Sequence, residues 1–221
     1  MSLIALTTDP GSDSLSVVTS SSEFRKDGTA VLIQHGDTEQ LKIDSEECND
    51  GYDLRVGAAY RDHRNDDAQV LSQNDTIILL PGNAVIIQTQ EWVEFPELRF
   101  GQIFPKVGLL QRGVTNTPSK VDPGFHGHLL VTVHNYGRRK VCLRRGQRFC
   151  SLHVFSVKGP IRPYKKDPPD IGTPRPAGRV QKIGDNIDAY NARLTVIALV
   201  VSAIALVVGA VAAVLPLLLR R

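Results

Sequence analysis

Four stretches of the chain gather apolar residues over strand-like lengths: TAVLIQ (29–34), DTIILLPGNAVIIQT (75–89), HLLVTVHN (128–135) and KVCLRRGQRFCSLHVFSV (140–157). They are rich in Val, Ile and Thr and do not sustain the 3.6-residue period of an amphipathic helix, so they predict strands. Pro81-Gly82 divides the second stretch, and Asn135-Tyr136-Gly137 separates the third from the fourth; both read as tight turns. Residues 1–157 therefore predict one all-β domain, a sandwich or distorted barrel, long enough to bury its own core. The stretch GPIRPYKKDPPDIGTPRPAGRVQKIG (159–184) has no apolar period. It predicts an extended or lid-like linker over 158–193.

A different pattern closes the chain. Residues 194–219 carry no charged side chain, and Arg220 and Arg221 follow. About 26 residues at a helical rise of roughly 1.5 Å span about 39 Å, enough for a hydrocarbon core with tilt to spare. The expectation is a single C-terminal transmembrane α-helix holding a globular head to the membrane. Arg175, Arg179, Lys182 and Arg193 on the near flank outnumber the two terminal arginines, which places the head on the cytoplasmic side. Ala198, Ser202, Ala205, Gly209 and Ala212 recur at spacings of four and three, a small-residue face that would let helices approach closely in lipid. Ala-rich composition alone also produces such spacing. Pro216 would kink or fray the far end.

The chain has 26 Lys and Arg against 23 Asp and Glu. Outside the terminal arginines the charges nearly balance, which argues against a nucleic-acid polymer as partner. Three cysteines, Cys48, Cys142 and Cys150, lack metal-ligand spacing and fit reduced thiols. His126, His128 and His134 share one face of a predicted strand, where solvated or pocket-lining roles compete with a metal site. Six basic residues between Arg138 and Arg148 either attract phosphates or solvate a hairpin edge. The basic positions of the linker would rest on lipid headgroups, another partner for the head.

Certain phrases carry a resemblance when taken in order. They are Asp50-Gly51-Tyr52-Asp53-Leu54-Arg55-Val56-Gly57; LLPGNAVIIQTQEWVEFPEL (79–98); Phe104-Pro105-Lys106-Val107-Gly108 with Gly113; Val121-Asp122-Pro123-Gly124-Phe125-His126-Gly127 with Asn135; and Arg145-Gly146-Gln147-Arg148-Phe149-Cys150-Ser151-Leu152. Together they resemble the motifs of the trimeric dUTPase and dCTP deaminase superfamily over about residues 45–155. The resemblance implies a dUTPase-like β-clip or distorted barrel, a homotrimer with pockets at its seams, and a deoxynucleotide-like small molecule as ligand.

It also implies residue roles, and here the chain departs from the family. Val107 stands where a phosphate-binding serine belongs, and Lys106 replaces the neighbouring arginine with a point charge. Thr132 stands where the deaminase form carries its glutamate base, and threonine cannot take up a proton near neutral pH. Ser151 replaces a phosphate-contacting glutamine, the glycine-rich tail of dUTPases is missing, and the deaminase lid survives only loosely in PYKKDPPDIGTPRP. Asp122 is kept; in the dUTPase reaction it would activate water, with magnesium on the nucleotide and Asp53 near that ion. The ligand-binding set implied is Lys106, Gly108, Asp122, Gly124, Phe125, Gly127, Gln147, Arg148 and Ser151. The main chain of 122–127 would read a pyrimidine edge, and Phe125 would either cover the sugar or staple the turn into the core. Asp50 and Asp53 also suit turn capping. Three functions are in play: a tethered binding protein that has lost deaminase chemistry and acts as sensor or effector, a tethered nucleotide hydrolase using Asp122 and magnesium, and a trimeric scaffold.

Overall fold

Strict alternation along Ala84–Glu94 turns Val85, Ile87, Thr89, Glu91 and Val93 inward, and every one of them is buried. Such a period of two is what a strand with one face on a core requires. In the computed structural model, which describes residues 2–4, 17–41, 51–63, 67–158, 161–172, 175–176, 195 and 197–206, this segment is the central strand. The strands are β1 (Ser2–Ile4), β2 (Val17–Val18), β3 (Val31–Gln34), β4 (Tyr52–Asp62), β5 (Ala68–Val70), β6 (Thr76–Leu79), β7 (Ala84–Glu94), β8 (Arg99–Pro105), β9 (Val114–Asn116), β10 (Ser119–Val121), β11 (His126–Asn135), β12 (Val141–Arg144), β13 (Arg148–Ser156) and β14 (Arg175–Pro176). A 3-10 turn covers Thr38–Leu41, and one helical turn, α1, covers Val107–Leu110.

Among the described residues, twelve strands join in one sheet along the path β10-β8-β13-β4-β7-β11-β9, with the others attached at its sides. β6 and β12 form a separate pair. All pairings are antiparallel except β2 with β3 and β14 with β5. The all-β expectation for the head agrees with this architecture. Tyr52, Leu54, Ile87, Val131, Leu143, Phe149 and Leu152 sit in one buried cluster between the inward faces. At Gly57 the β4–β7 ladder breaks register, and a Cβ there would stand 2.5 Å from the Gln88 carbonyl oxygen. Only glycine admits that approach.

Both predicted turns form, but they do not join hairpin partners. Asn83 N–H donates to Leu80 O (3.1 Å) across Pro81-Gly82, yet β6 pairs with β12 and β7 pairs with β3, β4 and β11. At Asn135-Tyr136-Gly137 the Asn135 side chain shapes the turn. Its Nδ2 donates to Leu79 O and Arg139 O (both 2.9 Å), and its Oδ1 accepts from Gly137 N–H (2.9 Å).

The chain divides into two units, Met1–Pro176 and Ala177–Arg221. Residues 161–172 and β14 thus belong with the β domain, where the sequence alone suggested a linker from 158. In the second unit Thr195 and residues 197–206 are helical, with Ile197, Leu199, Val200, Val201, Ile204 and Leu206 all exposed. Ser202 Oγ donates to Ala198 O (2.8 Å), one turn back along the same helix. No helix among the described residues is long and apolar enough to cross a membrane. Gly209, Ala212 and Pro216, with the rest of 207–221, lie outside the described residues, as do Cys48 and Asp50.

Candidate functional site

β4 and β13 run side by side, with Asp53 opposite Ser151, and each strand turns its even or odd positions out of the core. Between them and the Thr38–Leu41 turn opens a polar pocket of about 430 Å³, lined by Glu39, Gln40, Gly51, Asp53, Arg148, Ser151 and His153. Polarity here follows from the strand period: Leu54, Cys150 and Leu152 face the core, so Asp53, Ser151 and His153 face the pocket.

Asp53 is held from all sides. One carboxylate oxygen accepts from Ser151 Oγ (2.6 Å) and the other from Lys106 Nζ. Its main-chain N–H donates to Gln40 Oε1 (2.8 Å), and its carbonyl accepts from Gln40 Nε2 (3.2 Å). Arg148 Nη2 donates to Asp37 Oδ2 at 2.7 Å. That charge-assisted bond, opposed by partial burial and helped by the Glu39 N–H, holds the Asp37 carboxyl below the usual carboxylate range. Asp37 N–H also donates to Tyr52 Oη (2.6 Å), which in turn donates to Glu91 Oε1 (3.0 Å).

Glu91 is fully buried, and it is satisfied. Arg55 Nε donates to Oε1 (2.7 Å) and Arg55 N–H to Oε2 (3.0 Å). Burial, and then the Glu91 charge, push the Tyr52 hydroxyl well above the ordinary phenol range. The Glu91 carbonyl accepts from Thr89 Oγ1 (2.9 Å) and contacts His128 Nδ1 (2.9 Å). Glu91, Asp37, Gln40 and His153 were not singled out from sequence. A signal existed for Glu91: an acid at an inward position of a strictly alternating strand must be paired.

The Val121–Gly127 segment lies elsewhere. Val121 pairs with Gly101 on β8, whereas Lys106 follows Pro105 at the other end of that strand, roughly 17 Å away at about 3.4 Å per residue. Residues 122–125 make the turn between β10 and β11, strands that pair with β8 and with β7 and β9 rather than with each other. Its main chain is engaged within the protomer: Phe125 N–H to Asp122 O (3.1 Å), Gly124 N–H to Phe95 O (3.1 Å), Phe95 N–H to Phe125 O (2.8 Å) and Tyr164 N–H to Pro123 O (2.7 Å). Phe125 is 7% exposed within the core cluster, its ring 5.4 Å from that of Tyr164. Asp122 is partly exposed and pairs with Lys120 at 2.7 Å.

Of the sequence candidates, then, Asp53, Arg148 and Ser151 line the pocket, and Lys106 reaches it through Asp53. Gly108 stands in α1 with open space around it. Gln147 turns its Oε1 back to Arg144 N–H (3.0 Å), closing the turn into β13. Asp122, Gly124, Phe125 and Gly127 stay together under residues 163–168. His126 faces Trp92, His128 meets Glu91 O, and His134 stacks on Tyr136, so the three have separate surroundings. Among the described residues no three His, Cys, Asp or Glu gather as a metal site. Each carboxylate oxygen of Asp53 already takes one donor, Lys106 Nζ or Ser151 Oγ.

An antiparallel β domain in which the phrases at 50–57, 104–108 and 145–152 meet at one polar pocket defines the class, the dUTPase and dCTP deaminase superfamily. The dCTP deaminase-like family model matches residues 25–157, and the chain belongs to that family. It is 27% identical over 164 residues to the dUMP-forming dCTP deaminase of Methanothermobacter thermautotrophicus, covering 64% of this chain and 82% of that relative. Over 122 residues it is 31% identical to the dCTP deaminase of Pyrobaculum calidifontis, covering 49% and 69%. The probable deoxyuridine 5'-triphosphate nucleotidohydrolase of M. thermautotrophicus is 31% identical over 118 residues, covering 49% and 79%.

Proposed function

We propose that this protein is a membrane-tethered member of the family that binds a pyrimidine deoxynucleotide and does not deaminate it, acting as a sensor or effector. The observation that carries the reading is Thr132. It stands on β11 opposite Ile86, at the place where the resemblance expects the water-activating glutamate, and its hydroxyl cannot serve as that base. Val107 supports the same reading: it is 67% exposed at the start of α1 and offers a phosphate no hydroxyl. Relatives named as dCTP deaminases and as a nucleotidohydrolase of deoxyuridine triphosphate supply the ligand class.

Homotrimerisation belongs to the proposal. The Asp122–Gly127 segment lies far along β8 from the pocket, so a second copy is the natural source of the missing wall. Exposed Phe104, Val107 and Leu110 beside the pocket offer apolar surface for that contact. The tether rests on the uncharged run 194–219 and on the apolar side chains exposed along 197–206. The head is cytoplasmic by the charge bias of the near flank.

Full-length protein in detergent, incubated with dCTP and with dUTP, should release neither ammonia nor pyrophosphate while shifting its melting temperature with the nucleotide. Ammonia release from dCTP would overturn the loss of deamination. Pyrophosphate release abolished by Asp122→Ala would establish the tethered hydrolase instead. Carbonate extraction of membranes tests the tether: full-length chain stays in the pellet, and a chain ending at residue 193 is released.

A further inference from the structure

We infer that the pocket is tuned to a phosphate-poor ligand, a deoxynucleoside or its monophosphate, rather than to a triphosphate; this rests on the binding reading above. Two cations flank the cavity, and each already holds a carboxylate of this chain. Lys106 Nζ sits on Asp53, and Arg148 Nη2 sits on Asp37 at 2.7 Å. A triphosphate carries several negative charges and is captured where cations are available to its oxygens. Here it would meet an aspartate beside each cation.

Neither aspartate is free to swing aside. Asp37 Oδ1 accepts from Glu39 N–H (3.2 Å), Oδ2 also accepts from Gln40 Nε2 (3.4 Å), and the Asp37 N–H is tied through Tyr52 Oη to buried Glu91. Asp53 is fixed by Gln40 on both main-chain groups and by Ser151 Oγ on its carboxylate. Each aspartate makes further bonds of its own, so a phosphate that drew on either cation would still face that aspartate's charge. α1, with Val107 at its start, adds no hydroxyl. What remains for a ligand is a polar cavity with His153 and Gly51 in its wall, suited to sugar hydroxyls and a base edge.

The test is calorimetry on the full chain in detergent with deoxycytidine, deoxyuridine, their monophosphates and their triphosphates, with and without magnesium. The expected result is a flat series, with triphosphate and monophosphate affinities within about threefold, and little loss when salt rises, since Lys106 and Arg148, the cations described at the cavity, are both paired. Asp37→Asn keeps an acceptor for Arg148 but removes the charge, and it should raise the triphosphate-to-nucleoside affinity ratio by about tenfold. The salt series on unaltered protein stands even if that variant fails to fold. Triphosphate binding tenfold or more tighter than monophosphate, in either buffer, overturns this inference and leaves the binding reading intact. No binding by any member of the panel overturns the binding reading and this inference with it.

Discussion

The pocket beside Asp53 and the turn at Asp122–Gly127 carry phrases of one family pattern, and they are built in opposite ways. At the pocket, side chains do the work: Asp53, Arg148, Ser151 and His153 project from paired strands into open space. At the turn the main chain is already spent on Phe95 and Tyr164, and residues 163–168 lie over it. A side-chain site tolerates substitution one residue at a time without moving a strand. A main-chain site is fixed by glycines, and the chain keeps Gly124 and Gly127 at positive φ (77° and 133°).

Glu91 is where the two regions meet, and removing it should produce the largest effect. Its carboxylate supports Tyr52 and Arg55 on the pocket side, while its carbonyl supports Thr89 and His128 toward the turn. Glu91→Ala leaves a half-buried guanidinium and a buried hydroxyl without their acceptor, at a cost of about 3–5 kcal/mol. For a domain of this size that lowers the melting temperature by about 10 °C, measurable by calorimetry. If the two regions are independent, Glu91→Ala will loosen only the pocket, and hydrogen exchange across 122–127 will be unchanged. Loss of protection in both is the expected outcome.

Next in size is the contact that closes the turn. At Gly127 a Cβ would stand 2.7 Å from Pro168 Cβ, at a φ that side chains rarely adopt. Gly127→Ala should cost about 1–3 kcal/mol and lift residues 163–168, so trypsin should cut after Lys165 and Lys166 faster than in the unaltered chain. Gly108→Ala is the control on the pocket side. It meets open space within α1 and should be neutral or stabilise by up to about 1 kcal/mol. Equal proteolysis of the two variants would erase the distinction between the regions.

Strand positions were legible in the sequence because alternation marks them directly: HLLVTVHN is β11, and KVCLRRGQRFCSLHVFSV is β12 and β13 divided at Gly146. Partners were not. A period of two fixes which face of a strand is buried and says nothing about which strand lies beside it, so the long-range β6–β12 pair could not be read. The docking of residues 161–172 escaped for a related reason. A segment with no period still packs when single side chains find a slot, as Tyr164 does against Phe125 and Ile171 does at 2% exposure beside Ala59 and Ala68. At the pocket, Asp53, Arg148 and Ser151 came from motif order, whereas Asp37, Gln40 and His153 belong to no phrase and gain meaning only from the bonds they make.

The Asp37–Arg148 pair predicts a smaller, pH-dependent effect that the turn should not share. Asp37 titrates below its ordinary 3.8 in the folded protein, so its contribution to stability is present above that value and lost as pH falls through the depressed one. Arg148 is about half exposed, so Arg148→Gln should cost less than about 1 kcal/mol at pH 7. Urea titrations should show the difference between Arg148→Gln and unaltered protein shrinking as pH drops below 3.8. A difference that stays constant to lower pH would mean that Arg148 stabilises by packing, not by its charge on Asp37.

The smallest effect is one of reactivity, and it separates the outside of the β6–β12 pair from the floor of the pocket. Cys142 is exposed on β12, and Cys150 is fully buried on β13, next to Ser151. Burial, and then the negative charges of Glu91 and Asp53, push the Cys150 thiol well above its ordinary range, against the opposing charge of Lys106. A thiol kept protonated and out of solvent is a poor nucleophile. Peptide mapping after brief iodoacetamide treatment at pH 8 should therefore find Cys142 modified and Cys150 intact, with Cys142→Ser leaving stability within about 0.5 kcal/mol of the unaltered chain. Modification of Cys150 at a rate that follows urea would place its protection in the folded core. Modification at native rates would mean that the floor beneath Asp53 opens, and with it the anchored ion pair on which the pocket's indifference to phosphate depends.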